Sequence, residues 1–319
     1  MTLDRRQLLA GLTLASTPGF MSLPATAKAP IVGTQAPAFY RFKLGDFEIT
    51  ALHDGAAARP LDANFVRNTP LEEVQKVLAE DALPTDKLTI SFTTLLVNTG
   101  SKLVLLDTGF ADNGGPTNGR TVSQLKAAGI EPGQIDAVVL SHFHGDHLQG
   151  ARLKDGKLTY PNAEIMVPEM EWAFWMDDAK MAAAPDGMKG AFAGVHRVLK
   201  PNANDVKRFK WGAEVVSGIT AIEASGHTPG HTAFVIASGN AKMMYVADIT
   251  NTPTLFARNP EWKVMFDMDP DKAIATRKRI LDMAATDKIQ LSFYHANFPS
   301  TGFVGKEGAG YRFIPLAWS

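Results

Sequence analysis

One short segment of this chain carries more metal-binding side chains than core packing explains: Ser141-His142-Phe143-His144-Gly145-Asp146-His147. Three imidazoles and one carboxylate fall within six residues, directly after the apolar run Ala137 to Leu140. Two histidines with one residue between them project together from an extended segment, while a turn at Gly145 redirects Asp146 and His147 toward a second position. The segment is therefore suited to two neighbouring cations. The chain has no cysteine, so thiolate ligands, disulfides and a cysteine nucleophile are excluded. Any metal must be held by imidazole nitrogen and carboxylate oxygen.

The elements that position these residues follow from the patterning. Strands are expected at Tyr40 to Leu44 and Phe47 to Leu52, at Thr89 to Val97 and Lys102 to Leu106, and at Ala137 to Leu140, which delivers the first histidine. Thr69-Pro70-Leu71-Glu72 reads as a capping box with Pro at the first helical position, opening a helix to about Glu80. Helices are also expected from Thr121 to Ala128, Glu169 to Met176 and Pro270 to Ala285. Further strands are expected at Glu164 to Val167, Ile219 to Ala224, Thr232 to Ala237, Lys242 to Ala247 and Gln290 to Tyr294. Strands mixed with helices in both halves argue for an α/β sandwich.

Composition narrows the function. Of 319 residues 45% are hydrophobic, enough for a substantial core, and 32 Lys+Arg balance 33 Asp+Glu. No basic block stands out, so nucleic acid is not an expected partner. At the N-terminus Arg5-Arg6 precedes a short apolar run, Leu8 to Met21, and then Ala25-Thr26-Ala27. This reads as a signal peptide over residues 1–29, with a twin-arginine start, an ordinary Sec signal or an uncleaved anchor being the alternatives. The expected mature domain is 30–319, periplasmic or secreted. No other stretch reaches membrane-spanning length, so no stable membrane insertion is expected after processing.

Five motifs stand in order: Leu106-Asp107-Thr108-Gly109, His142-Phe143-His144-Gly145-Asp146-His147, Gly226-His227-Thr228-Pro229-Gly230-His231, Asp248 and His295. In these the chain resembles the metallo-β-lactamase superfamily. The resemblance implies a single-domain, four-layer αββα sandwich. It also implies that His142, His144 and His227 bind one divalent metal, that Asp146, His147 and His295 bind the other, and that Asp248 bridges both. Zinc is the default ion, with iron, manganese or cobalt as alternatives. Asp107 is implied to hydrogen-bond the ligand loop, and His231 to support the site without ligating. His53 and His196 have no ligand-like company and read as ordinary structural histidines.

Leu44 to Leu52, Val97 to Val104, Phe174-Trp175 and Gly308 to Phe313 are similar to methyl parathion hydrolase and its exported relatives. That group implies lactone and aryl ester hydrolysis by a metal-bridging hydroxide. Asp146 and Asp248 would be the catalytic carboxylates, phosphotriesters substrates for some members, and a homodimer the assembly. An organophosphate hydrolase is the alternative main activity; a sulfur dioxygenase or thioesterase ranks lower. Trp172, Phe174 and Trp175 are expected either in the core or, with Phe110, in the pocket wall. The segment Asn113-Gly114-Gly115 lacks an aromatic residue for an aryl leaving group. This favours a carbonyl electrophile over phosphorus, and Gly114→Phe is expected to narrow the preference.

Overall fold

The computed structural model describes residues 29, 31–33 and 35–317, and residues 37–319 form one compact unit. Arg5, Arg6 and the Ala25-Thr26-Ala27 segment lie outside the described residues. The first sheet contains seven strands in sequence order: β1 (Phe39–Leu44), β2 (Phe47–Pro60), β3 (Lys87–Asn98), β4 (Leu103–Leu106), β5 (Ala137–Val139), β6 (Glu164–Pro168) and β7 (Lys207–Phe209). Pairing is antiparallel from β1 to β4 and parallel from β4 to β7.

The second sheet is built from β8 (Glu214–Val216), β9 (Ile219–Glu223), β10 (Thr232–Ser238), β11 (Ala241–Ala247), β12 (Gln290–Phe293), β13 (Thr301–Glu307) and β14 (Gly310–Pro315). Here only β11 and β12 pair in parallel. Parallel neighbours need a crossover, and all the helices but the first lie in those crossovers. Between β4 and β5 runs α2 (Thr121–Ala127), the second helix after α1 (Leu71–Glu80). The short α3 (Gly145–Leu148) follows β5; α4 (Glu169–Trp175), α5 (Asp178–Ala183) and α6 (Asp186–Leu199) join β6 to β7. Finally α7 (Pro253–Phe256) and α8 (Pro270–Asp287) join β11 to β12.

Alternation along the strands creates three apolar layers. Val104 and Leu106 of β4, with Leu95 and Val97 of β3, face Phe234, Ile236, Met243 and Tyr245 between the sheets. Leu96, Leu105 and Val138 point the other way, onto Leu125 of α2 and onto Trp175, Phe192 and Val195 of α4 and α6. Met244, Val246 and Leu291 pack on Ile280, Leu281 and Ala284 of α8. The result is the four-layer αββα sandwich.

Two local expectations change. α1 begins at Leu71 with Pro70 at its cap and no side-chain capping bond, so Thr69 and Glu72 form no capping box. β2 continues past Leu52 to Pro60 through a bulge between His53 and Gly55, because β3 extends to Lys87 and offers it a full-length partner.

Candidate metal centre

The loops that carry the ligands and Asp107 leave the C-terminal ends of β4, β5, β9, β11 and β12, so one edge of the sandwich collects residues far apart in sequence. The structure brings His142, His144, His227 and Asp248 into one group and Asp146, His147 and His295 into another, the ligand atoms of each lying within 4.8 Å of one another. Asp248 faces both. Its Oδ1 is 3.2 Å from His147 Nε2, and its Oδ2 is 3.2 Å from His227 Nε2 and 3.0 Å from His295 Nε2. Asp146 Oδ2 is 3.4 Å from both His147 Nε2 and His295 Nε2.

The donor set fits a pair of divalent ions. His142 Nε2, His147 Nε2 and Asp248 Oδ1 are buried without a hydrogen-bond partner, a costly arrangement unless an ion uses those lone pairs. Burial, which disfavours imidazolium, holds His142 well below the ordinary histidine range and His144 down to about 3, so both keep a free lone pair. At His227 burial pulls the same way, yet the hydrogen bonds to Asp248 and Asp267 outweigh it and raise the group to about 9. That position calls for positive charge, which a divalent cation supplies as well as a proton does.

Buried partners orient the ligands. Asp107, in a left-handed conformation at φ 60°, accepts bonds from Ser141 N–H (2.7 Å), Ser141 Oγ (2.7 Å), His147 Nδ1 (2.8 Å) and Tyr245 Oη (2.6 Å). It thereby aims His147 Nε2 into the centre. His231 lies 2.9 Å by Nδ1 from the Ala224 carbonyl, and its Nε2 accepts the Asp248 N–H at 3.0 Å, so it fixes the backbone of Asp248. His295 Nδ1 is 2.8 Å from the Ser91 carbonyl.

Two orienting carboxylates escaped the reading of the sequence. Asp267 takes His227 Nδ1 at 2.9 Å and is itself paired with buried Arg277 at 3.2 Å. Glu171 accepts from Phe143 N–H, Trp175 Nε1–H, Thr228 Oγ1 and Gly230 N–H. Neither lies in a ligand motif; the one hint was an acidic residue at position 171 inside an otherwise aromatic helix face. His53 stands apart, 3.3 Å from Ser91 Oγ, and His196 is 2.9 Å from the Trp175 carbonyl.

Above the centre opens a cavity of about 350 Å³ lined by Ile90, Phe92, Phe110, Asn251 and Phe266 together with His144, Gly145, Asp146, His227, Asp248 and His295. Phe110 is in this wall, edge-on to Phe92 at 5.4 Å. Trp172, Phe174 and Trp175 are not. They pack in the layer beneath the first sheet, Trp175 against Phe192 at 4.7 Å and Trp172 under the Arg208 guanidinium. Helical spacing alone could not say which face of α4 looks inward. The Asn113 amide is tied to the carbonyls of Phe110, Gln149 and Arg152, and a Cβ at Gly114 would sit 2.6 Å from Asn118 Oδ1. Gly114→Phe would therefore strain a packed loop rather than extend the pocket, and Phe110 already supplies the aromatic wall.

The family model for the metallo-β-lactamase superfamily matches residues 87–288. An N-acyl homoserine lactonase of Bacillus thuringiensis is 27% identical over 184 residues, 55% of this chain and 62% of that protein; the chain thus matches somewhat under two thirds of such a relative's length. The solved structure of AidC, described as a dizinc quorum-quenching lactonase in complex with a product, superposes with a TM-score of 0.83 at 30% identity, covering 88% of this chain and 98% of that one. The hydrolase AbOPH, described as in the β-lactamase superfamily, gives a TM-score of 0.83 at 29% identity over 90% of this chain and 100% of its own. Sandwich, ligand order and matched span agree: the chain belongs to the metallo-β-lactamase superfamily.

Proposed function

We propose that this chain is a dinuclear, zinc-dependent hydrolase that opens lactones and cleaves aryl esters. The observation that carries the reading is the placement of two ligand groups, joined by Asp248, at the floor of a cavity walled by Ile90, Phe92, Phe110 and Phe266. When bound, the metal pair would supply an activated water at neutral pH and polarise the substrate's electrophilic oxygen. Asp248 would hold the pair together. Asp146 keeps its side chain 20% exposed on the cavity side, where a carboxylate can accept a proton from the attacking water and return it to the leaving oxygen. The aromatic wall excludes bulk water and grips the apolar part of the ester. No serine or cysteine nucleophile is needed.

Lactones rank first because the relatives are described as lactonases, AidC among them with a dizinc centre. Phosphotriesters form a second reading, favoured by Phe110 and Phe92, which present an aromatic face suited to an aryl leaving group. We further propose that residues 1–29 direct export and that the domain beginning near residue 30 acts in the periplasm or outside the cell, as a homodimer. Measuring kcat/KM of the zinc-loaded protein on lactones, aryl esters and dialkyl aryl phosphotriesters tests the ranking. Lactones or aryl esters should lead by about tenfold or more, equivalent to roughly 1.4 kcal/mol in the transition state. A preference for phosphotriesters would reverse it.

A further inference from the structure

We infer that Glu171 is a positioning residue for one half of the metal centre, so that its loss weakens the ion at His142, His144, His227 and Asp248 selectively. The inference rests on the dinuclear reading above and adds that Glu171 supports only one of its halves. His144 and His227 are 83 residues apart on different loops, yet their ring nitrogens must converge to 2.8 Å. Something must register one loop against the other.

Glu171 joins the two loops. Its Oε1 accepts the N–H of Phe143, which lies between His142 and His144, at 3.0 Å. Its Oε2 accepts the Thr228 hydroxyl at 2.9 Å and the Gly230 N–H at 2.7 Å, just after His227. Trp175 Nε1–H, one turn along α4, pins Oε1 at 2.8 Å. The loop has no slack there, because a Cβ on Gly230 would come within 2.2 Å of the Glu171 backbone nitrogen.

The partners favour the ionised form. Three of them are N–H groups that can only donate, and they occupy both oxygens. The carboxylate is fully buried, and among the described residues its hydrogen-bond donors are Phe143, Trp175, Thr228 and Gly230, with no lysine or arginine. A buried charge without a cationic side chain is expensive; divalent ions bound in the adjoining centre would offset it. The other half does not touch Glu171: His147 leans on Asp107, whose partner Ser141 also meets His142 Nδ1 at 3.0 Å, and His295 leans on the Ser91 carbonyl. A glutamine at position 171 would turn its NH₂ toward at least one N–H group that can only donate, whichever way it faced, so Glu171→Gln breaks the register while nearly keeping the volume.

The test strips the full chain of metal and titrates zinc back against a chromophoric chelator, with bound metal counted by elemental analysis and the thermal midpoint of the apo form measured alongside. For Glu171→Gln one of the two dissociation constants should rise about tenfold or more while the other stays within about threefold. Thr228→Val, which removes one donor in a similar shape, should shift the same constant less and carries the test if the first variant does not fold. His295→Ala should keep one tight ion, and Glu171→Gln combined with His295→Ala should lose it. Two constants unchanged or equally weakened would overturn the inference, as would a double variant that binds its ion like His295→Ala. A lower apo midpoint with the ratio of constants preserved would make Glu171 merely structural. Parent protein binding fewer than two ions would instead defeat the dinuclear reading itself, and the inference with it.

Discussion

Asp248 is the residue on which both halves of the centre depend, since its carboxylate meets His227 of one group and His147 and His295 of the other, and its own N–H is held by His231. Asp248→Ala is therefore expected to reduce metal content toward zero and activity by at least about a thousandfold, as removal of one charge-stabilising group can. His295→Ala should leave close to one ion per chain. Elemental analysis separates the two, and a Asp248→Ala protein that still held two ions would contradict the bridging role. Phe110 tests the cavity. Phe110→Ala should raise KM for aryl esters several-fold with little change in kcat, because its contact is apolar and common to ground and transition states. Steady-state kinetics on an aryl ester and a small aliphatic lactone should show the effect mainly for the former.

At the scale of elements, the loop bearing Phe110 is held by a buried carboxylate on β2. Asp54 accepts from Phe110 N–H (3.1 Å), Gly119 N–H (3.0 Å), Thr121 N–H (2.8 Å) and Thr121 Oγ1 (2.6 Å). Asp54→Ala orphans these donors and should cost about 3 kcal/mol in urea unfolding; KM for aryl esters should rise with it, as Phe110 loses its anchor. An unchanged KM would mean that the Phe92 contact alone fixes the wall. The sheets themselves rest on alternation, so Leu105→Ala, fully buried against α2, should cost roughly 2–5 kcal/mol. Strands with strong apolar patterning, such as β4, β5, β10 and β11, were legible in the sequence nearly to the residue. The second half of β2 was not, because Ala56-Ala57-Ala58 has little strand preference of its own and extends only beside β3.

For the whole molecule, metal and fold are linked. Cations bound to the native centre and not to the unfolded chain stabilise it by mass action. A strong chelator should therefore lower the thermal midpoint, and zinc should restore it; calorimetry with and without metal checks this, and an unchanged midpoint would show that the loops hold their shape unaided. Export is tested on the full chain. Changing Arg5 and Arg6 to Lys should stop translocation by the twin-arginine route, followed by fractionation, whereas normal export would leave the Sec reading.

The sequence by itself determined which atoms can bind metal and in what order they come, because imidazoles and carboxylates packed into His142 to His147 have no apolar use, and the later motifs supply their complement. It also pointed to an α/β sandwich, since period-two runs alternate with helical ones, while the four-layer αββα order followed only from the family resemblance. What it could not decide was direction. Whether Trp172 and Trp175 or Phe110 wall the cavity depends on which face of a short helix meets the sheet, and that follows from how three apolar layers stack. Nor could it show that Glu171 and Asp267, outside every ligand motif, close on His227 and its loop. Such contacts join residues tens of positions apart, and only burial in the folded chain makes a lone carboxylate seek the donors that remain.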